Sequence, residues 1–176
     1  MKTFSSVVHL SGRLAAGTLL LLAASLLAGC AGMPERIAAG TPRAEIEQRL
    51  GRPTAEYALG DGTRLQYSRQ PAGQQVYNLD LGPDGRLRRL EQVMDIHWLQ
   101  QRIEVDRWTR DDVLHNLGRP ALVERVARFR GDVWTYRFLE VNLPRQVHVH
   151  IDPEGVVRRV MFTDEPITAD EPSDRS

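Results

Sequence analysis

Leu117-Gly118-Arg119-Pro120 repeats, residue for residue, a stretch met 67 positions earlier as Leu50-Gly51-Arg52-Pro53. A second echo follows each copy. Pro83-Asp84-Gly85-Arg86-Leu87-Arg88-Arg89-Leu90 returns 70 positions later as Pro153-Glu154-Gly155-Val156-Val157-Arg158-Arg159-Val160. Between these anchors, Leu65-Gln66-Tyr67 matches Trp134-Thr135-Tyr136 at an offset of 69. Three anchors in one order, with nearly constant offsets, mark a duplication. The period exceeds that of the common solenoid repeats, so the expectation is two copies of a small domain, 34–94 and 95–163.

Within each copy the local chemistry is readable. A short first helix is expected at 34–39 and at 96–103; in the second, Asp95 is a plausible N-cap and Ile96, Leu99 and Ile103 share a face. A second helix follows. Thr41 is its expected cap in the first copy, with Pro42 in the first turn where a missing N–H is harmless. Thr109-Arg110-Asp111-Asp112 resembles a capping box with Asp in place of Glu. Ile46 and Leu50, like Val113 and Leu117, lie one turn apart. Gly51 and Gly118 then stop the helices by taking the left-handed conformation that satisfies the last carbonyls.

Strand signals come next. Leu65 and Tyr67, then Tyr77, Leu79 and Leu81, alternate with polar residues. Trp134, Tyr136 and Phe138 do the same, as do Val147, Val149 and Ile151. A period of two marks half-buried antiparallel strands. Gly82-Pro83-Asp84-Gly85 and Asp152-Pro153-Glu154-Gly155 are tight turns. Leu87 and Leu90 cannot share one face of a regular strand, which calls for a bulge or a late start. The predicted fold class is therefore α+β: two tandem helix-helix-three-strand units forming one antiparallel sheet, helices packed on one face. Residues 164–176 read as a disordered tail.

The start of the chain carries a different signal. Residues 1–13 hold Lys2 and Arg13 and no acid, and 14–28 are nearly all Leu and Ala. Leu27-Ala28-Gly29-Cys30 closes the run. A positive start, an apolar middle and a small-residue cut make a secretory signal, 1–29. The apolar run is shorter than the ~20 residues a spanning helix needs. Its last four residues resemble the lipobox of a bacterial lipoprotein signal. That resemblance implies cleavage between Gly29 and Cys30, lipid on the Cys30 sulfur and an acylated new N-terminus, with 30–33 as linker. Two or more acyl chains anchor stably. Ala31 in place of Asp points to the periplasmic side of the outer membrane.

Removing the signal leaves 147 residues, with 21 basic and 23 acidic, a net charge of about −2. No basic surface suited to nucleic acid is present. With no cysteine beyond Cys30, stability must come from the core.

Helix capped by Thr, LG-x-P stop, three strands and a P-[D/E]-G turn together resemble the SmpA/OmlA (BamE-like) lipoprotein family over about 34–163. The tandem arrangement resembles the β-lactamase inhibitor protein fold. The first resemblance implies a non-enzymatic protein-binding module in outer-membrane assembly or maintenance, with the β-barrel assembly machinery as a partner. The second implies an inhibitor or sensor that caps a periplasmic enzyme. No Walker A, G-x-S-x-G, H-E-x-x-H or C-x-x-C motif occurs. One cluster could ligate metal: His148, His150 and Asp152, about 7 Å apart in succession along one strand face. The plainer reading is the polar face of a strand, so no cofactor is expected. Trp134, Tyr136 and Phe138 are expected in the core, Trp98 and Trp108 at the junction between copies. Arg88, Arg89, Arg158 and Arg159 are expected on a solvated face.

Overall fold

The computed structural model describes residues 32–166. The signal segment, Gly29 and Cys30 lie outside the described residues. One 3-10 turn, Pro34–Arg36, precedes helix α1 at Arg43–Leu50. Four strands follow: β1 (Ala55–Leu59), β2 (Gly62–Ser68), β3 (Val76–Leu81) and β4 (Leu87–Gln92). The second copy has helices α2 (Ile96–Arg102) and α3 (Arg110–Leu117), then β5 (Leu122–Glu124), β6 (Asp132–Glu140), β7 (Leu143–Ile151) and β8 (Val157–Asp164). The strands make two separate antiparallel sheets, each in sequence order, β1-β2-β3-β4 and β5-β6-β7-β8.

This corrects the expected architecture. The chain is strand-rich, with four strands per copy rather than three and no single shared sheet. The first copy has one helix, because Gly40 at φ +84° and Pro42 leave room for only one turn before α1. Thr41 does not cap α1. Its carbonyl accepts from the Leu87 N–H at 2.9 Å and its hydroxyl donates to the Ala38 carbonyl at 2.7 Å, so Pro42 occupies the cap position. The other local features hold. Asp95 accepts from the His97 and Trp98 amides, and Thr109 and Asp112 form a reciprocal capping box. Gly51 and Gly118 do end their helices with positive φ, +79° and +76°, but ψ is −166° and −163°, an extended conformation in place of the expected left-handed helical one.

The imperfect parity resolves into a bulge in each copy. Asp80 pairs with Arg89 and Leu81 with Leu87, so Arg88 is the extra residue. His150 pairs with Arg159 and Ile151 with Val157, leaving Arg158 in the same place. Both arginines turn outward to carboxylates, Arg88 to Asp61 at 2.8 Å and Arg158 to Asp152 at 2.6 Å. Strand β8 runs on through Asp164, past the expected start of the tail.

Two cores result. Leu65, Tyr67, Tyr77, Leu79 and Leu81 present one face of the first sheet to Ile37 and Ile46. Val113 and Leu117 of α3 and Leu99 of α2 pack on Trp134, Tyr136, Phe138, Val147, Val149 and Ile151 of the second sheet. Trp134, Tyr136 and Phe138 are thus core, as expected. Trp98 and Trp108 meet edge-on at 6.4 Å and cover this second core. Each fully buried Leu or Val side chain contributes about 1.5–3 kcal/mol.

The other face of the first sheet is polar by alternation yet buried. Gln66 and Asn78 are each 1% exposed. They meet the C-terminal end of α3. The Gln66 amide donates to the carbonyls of Leu114 and His115 at 3.4 and 3.3 Å, and the Asn78 amide donates to that of Asn116 at 2.9 Å. Arg64 reaches the His115 carbonyl at 3.2 Å while gripping Asp80 with two bonds of 2.7 and 2.9 Å. The Tyr57 hydroxyl donates to the Leu114 carbonyl at 3.2 Å. The last four carbonyls of a helix have no partner within it, and a cation there also suits the helix dipole. The first sheet supplies both. The resulting order of layers is α1, first sheet, α3, second sheet. Val76, at the end of the same polar face, joins the second core.

Candidate interaction surface

Strands β6 and β7 are joined by the two-residue turn Val141-Asn142, with Glu140 opposite Leu143. Both turn residues have positive φ, +47° and +68°. Such a turn matches the right-handed twist of the strands it joins, and Asn and Gly are its usual occupants. Asn142 fits. Val141 does not: its branched Cβ crowds the backbone in the left-handed region, a strain of about 1–2 kcal/mol.

Val141 is also 91% exposed, with Leu143 at 64% and Leu139 at 40%. An apolar knob is thereby held at the end of the longest hairpin. Its base is braced by Arg145, which bonds Glu140 at 2.7 Å, Asp164 at 3.1 Å and the Thr163 carbonyl at 3.1 Å. Backbone strain and apolar exposure thus coincide at one residue. The sequence pattern alone singled out nothing here. The signal was present in the apolar alternation of Leu139, Val141 and Leu143 continuing through the turn.

Of the candidate metal ligands, His148 and His150 lie on the outer face of the second sheet and Asp152 in the turn after β7. His148 lies between two hydroxyls, Thr135 at 2.8 Å from Nδ1 and Thr163 at 2.8 Å from Nε2. His150 is 7% exposed and lies under the Phe129 ring, edge-on with centroids 4.9 Å apart. Its Nδ1 has no hydrogen-bond partner. Asp152 belongs to the turn, accepting from the Val156 N–H at 2.8 Å and from Arg158 at 2.6 Å. Burial lowers the pKa of both histidines below the ordinary value, with Arg159 and His148 adding to the effect at His150. Asp152 is also lowered, first by the Val156 amide. No three His, Cys, Asp or Glu side chains converge as a metal site among the described residues.

The two copies have diverged at this face. Asn78 of the first sheet binds a helix end; the matching His148 of the second binds its own neighbours. The arginines Arg88, Arg89 and Arg158 each pair with a carboxylate, Asp61, Glu91 and Asp152.

No family model matches the sequence, and no curated protein does. Among solved structures, a DUF4309 family protein (YjgB) from Bacillus subtilis is similar at 14% identity and a TM-score of 0.30, over 71% of this chain and 79% of that one.

Proposed function

We propose that this protein is a non-enzymatic, lipid-anchored docking module on the periplasmic side of the outer membrane. Cys30 carries the anchor, and the β6–β7 hairpin tip meets a protein partner in envelope assembly or maintenance. The observation that carries the docking role is Val141: an apolar β-branched residue, strained at φ +47° and 91% exposed. The lipobox supports the location. The resemblance to the SmpA/OmlA family supports the β-barrel assembly machinery as the partner.

The same hairpin favours a second reading, in which the tip enters the active site of a periplasmic enzyme and the protein acts as inhibitor or sensor. A protruding apolar tip suits either use.

A photo-crosslinking residue at Val141, introduced in cells, separates them. Adducts with barrel-assembly subunits support the first reading, and an adduct with one soluble periplasmic enzyme supports the second. Labelling no stronger than from Gln48 on α1 would remove the hairpin from both. A Cys30→Ser chain that stays membrane-bound would remove the anchor.

A further inference from the structure

Sheet edges attract other strands unless they are blocked. In this chain most are blocked. Strand β5 is three residues long, and β1 carries Glu56, bound to Arg43 at 2.6 Å. Where β6 outruns β5, the side chain of Gln70 bonds both the N–H and the C=O of Arg137. Strand β4 is guarded by Arg88, Arg89, Glu91 and Gln92. Strand β8 is the exception past its first residue, Val157, which bonds the Asp106 amide and the Trp108 carbonyl. It is eight residues long and carries four uncharged residues in a row, Val160-Met161-Phe162-Thr163, with Met161 42% exposed.

The register fixes which of its backbone groups are free. The two-residue turn makes Glu140 and Leu143 a hydrogen-bonded pair, so Val147 and Val149 turn their backbone groups toward β6. His148 and Gln146 therefore turn theirs toward β8, where Met161 and Thr163 receive them. The N–H and C=O groups of Val160 and Phe162 point outward, and no backbone or side-chain group among the described residues bonds them.

We propose that two copies of this chain pair through β8, antiparallel about a two-fold axis at Met161, making one eight-stranded sheet. In that register Val160 faces Phe162 of the partner subunit, and each satisfies the other's outward backbone groups. Met161 meets Met161 of the partner subunit across a non-hydrogen-bonded position. Arg158, 43% exposed and bonded in its own subunit to Asp106 and Asp152, comes opposite Asp164 of the partner subunit, 88% exposed and bonded in its own subunit by Arg145, and these opposite charges face one another twice by symmetry. A shift of the axis to Phe162 would instead set the apolar Val160 against the carboxylate of Asp164 of the partner subunit. Matching apolar with apolar and arginine with carboxylate thus selects Met161. This association is separate from the docking role of the hairpin tip.

The test uses the full-length chain with Cys30→Ser in detergent. Sedimentation equilibrium is expected to give a concentration-dependent dimer. Met161→Lys sets two ammonium groups face to face at the axis and weakens the dimer at least about tenfold, with unchanged circular dichroism. Met161→Cys closes a disulfide under mild oxidation, because facing residues at a non-hydrogen-bonded position lie about 4.5 Å apart at Cα. A monomer at every concentration overturns the proposal. So does a dimer indifferent to Met161→Lys, or Met161→Cys cross-linking no better than Glu91→Cys on β4.

Discussion

Gln70 reads the backbone of Arg137 as a neighbouring strand would. Its side-chain amide donates to the Arg137 carbonyl at 2.6 Å and accepts from the Arg137 N–H at 3.3 Å. The Arg137 guanidinium answers by bonding the Pro71 carbonyl at 2.8 Å. One loop of the first copy is thereby stitched to the second sheet, at the point where β5 has run out. Removing both side-chain bonds of a partly buried amide exposes two backbone groups to loss of their partners, each worth about 1 kcal/mol. Gln70→Ala should lower stability by about 1–2 kcal/mol in a denaturant titration, and speed hydrogen exchange at the Arg137 amide. An unchanged exchange rate at Arg137 would count against the stitch.

The two helix-stopping glycines should respond differently to one change. Gly51 and Gly118 have nearly the same φ and ψ, a positive-φ extended conformation that glycine alone takes readily, so Ala at either position meets the same strain of about 1–3 kcal/mol. Around Gly51 an added Cβ meets nothing within 4 Å. At Gly118 it would lie 2.7 Å from the Gln66 side-chain oxygen. That oxygen belongs to the buried group holding the end of α3. Gly118→Ala should therefore destabilise by about 1–2 kcal/mol more than Gly51→Ala, as measured by their denaturation midpoints. Equal losses would mean that Gln66 yields freely.

Asn78→Ala tests the same junction from the other side. It leaves the Asn116 carbonyl without its 2.9 Å donor inside the protein. An unsatisfied buried acceptor costs about 1–3 kcal/mol. The loss should appear as a lower midpoint with a single, still-cooperative transition, since both copies depend on the contact. Two resolved transitions in the parent protein would show the copies unfolding separately, against this view.

The buried histidines set a pH window. His148 and His150 are lowered below their ordinary value of 6.5, in both cases chiefly by burial. The unfolded chain therefore takes up protons first as pH falls through about 6.5. Stability is full above that point and drops below it. Carboxylates such as Asp152, lowered from 3.8, add a separate loss at much lower pH. The melting temperature should fall between pH 7.5 and 5.5, and His148→Gln should flatten that fall. A parent protein equally stable at both pH values would contradict the assignment.

Val141→Gly should raise stability by about 1 kcal/mol or more, because glycine accepts φ +47° without strain. The same change should weaken the crosslink or affinity at the hairpin tip. A gain in stability with docking intact would make Val141 a bystander.

The sequence made the local devices legible. Asp95, the Thr109–Asp112 box, Gly51, Gly118 and the inward residues of β2, β3, β6 and β7 each act within a few residues of themselves. What escaped was set at a distance. Leu122-Val123-Glu124 is too short for any period to show, so β5 went unseen. Thr41 has a cap residue's chemistry, but its carbonyl is committed to Leu87 across the copy. The layering was misread for a sharper reason. Gln66 and Asn78 alternate with apolar neighbours as solvent-facing residues do, and nothing local distinguishes water from the end of a helix as their partner. At the candidate site, alternation put His148, His150 and Asp152 on one strand face; only the two histidines lie on β7, Asp152 belongs to the turn beyond it, and the hydroxyl and aromatic neighbours of the histidines come from elsewhere in the chain.

The buried polar face of the first sheet also imposes a schedule on synthesis. Asn78 waits for a carbonyl 38 residues further along the chain. A ribosome that has finished β4 has made a sheet with one face covered and the other, bearing Val76, Gln66 and Asn78, still wet. That face closes only after α3 emerges. The first copy is therefore a half-finished object during elongation, and its companion serves as its lid before serving any partner.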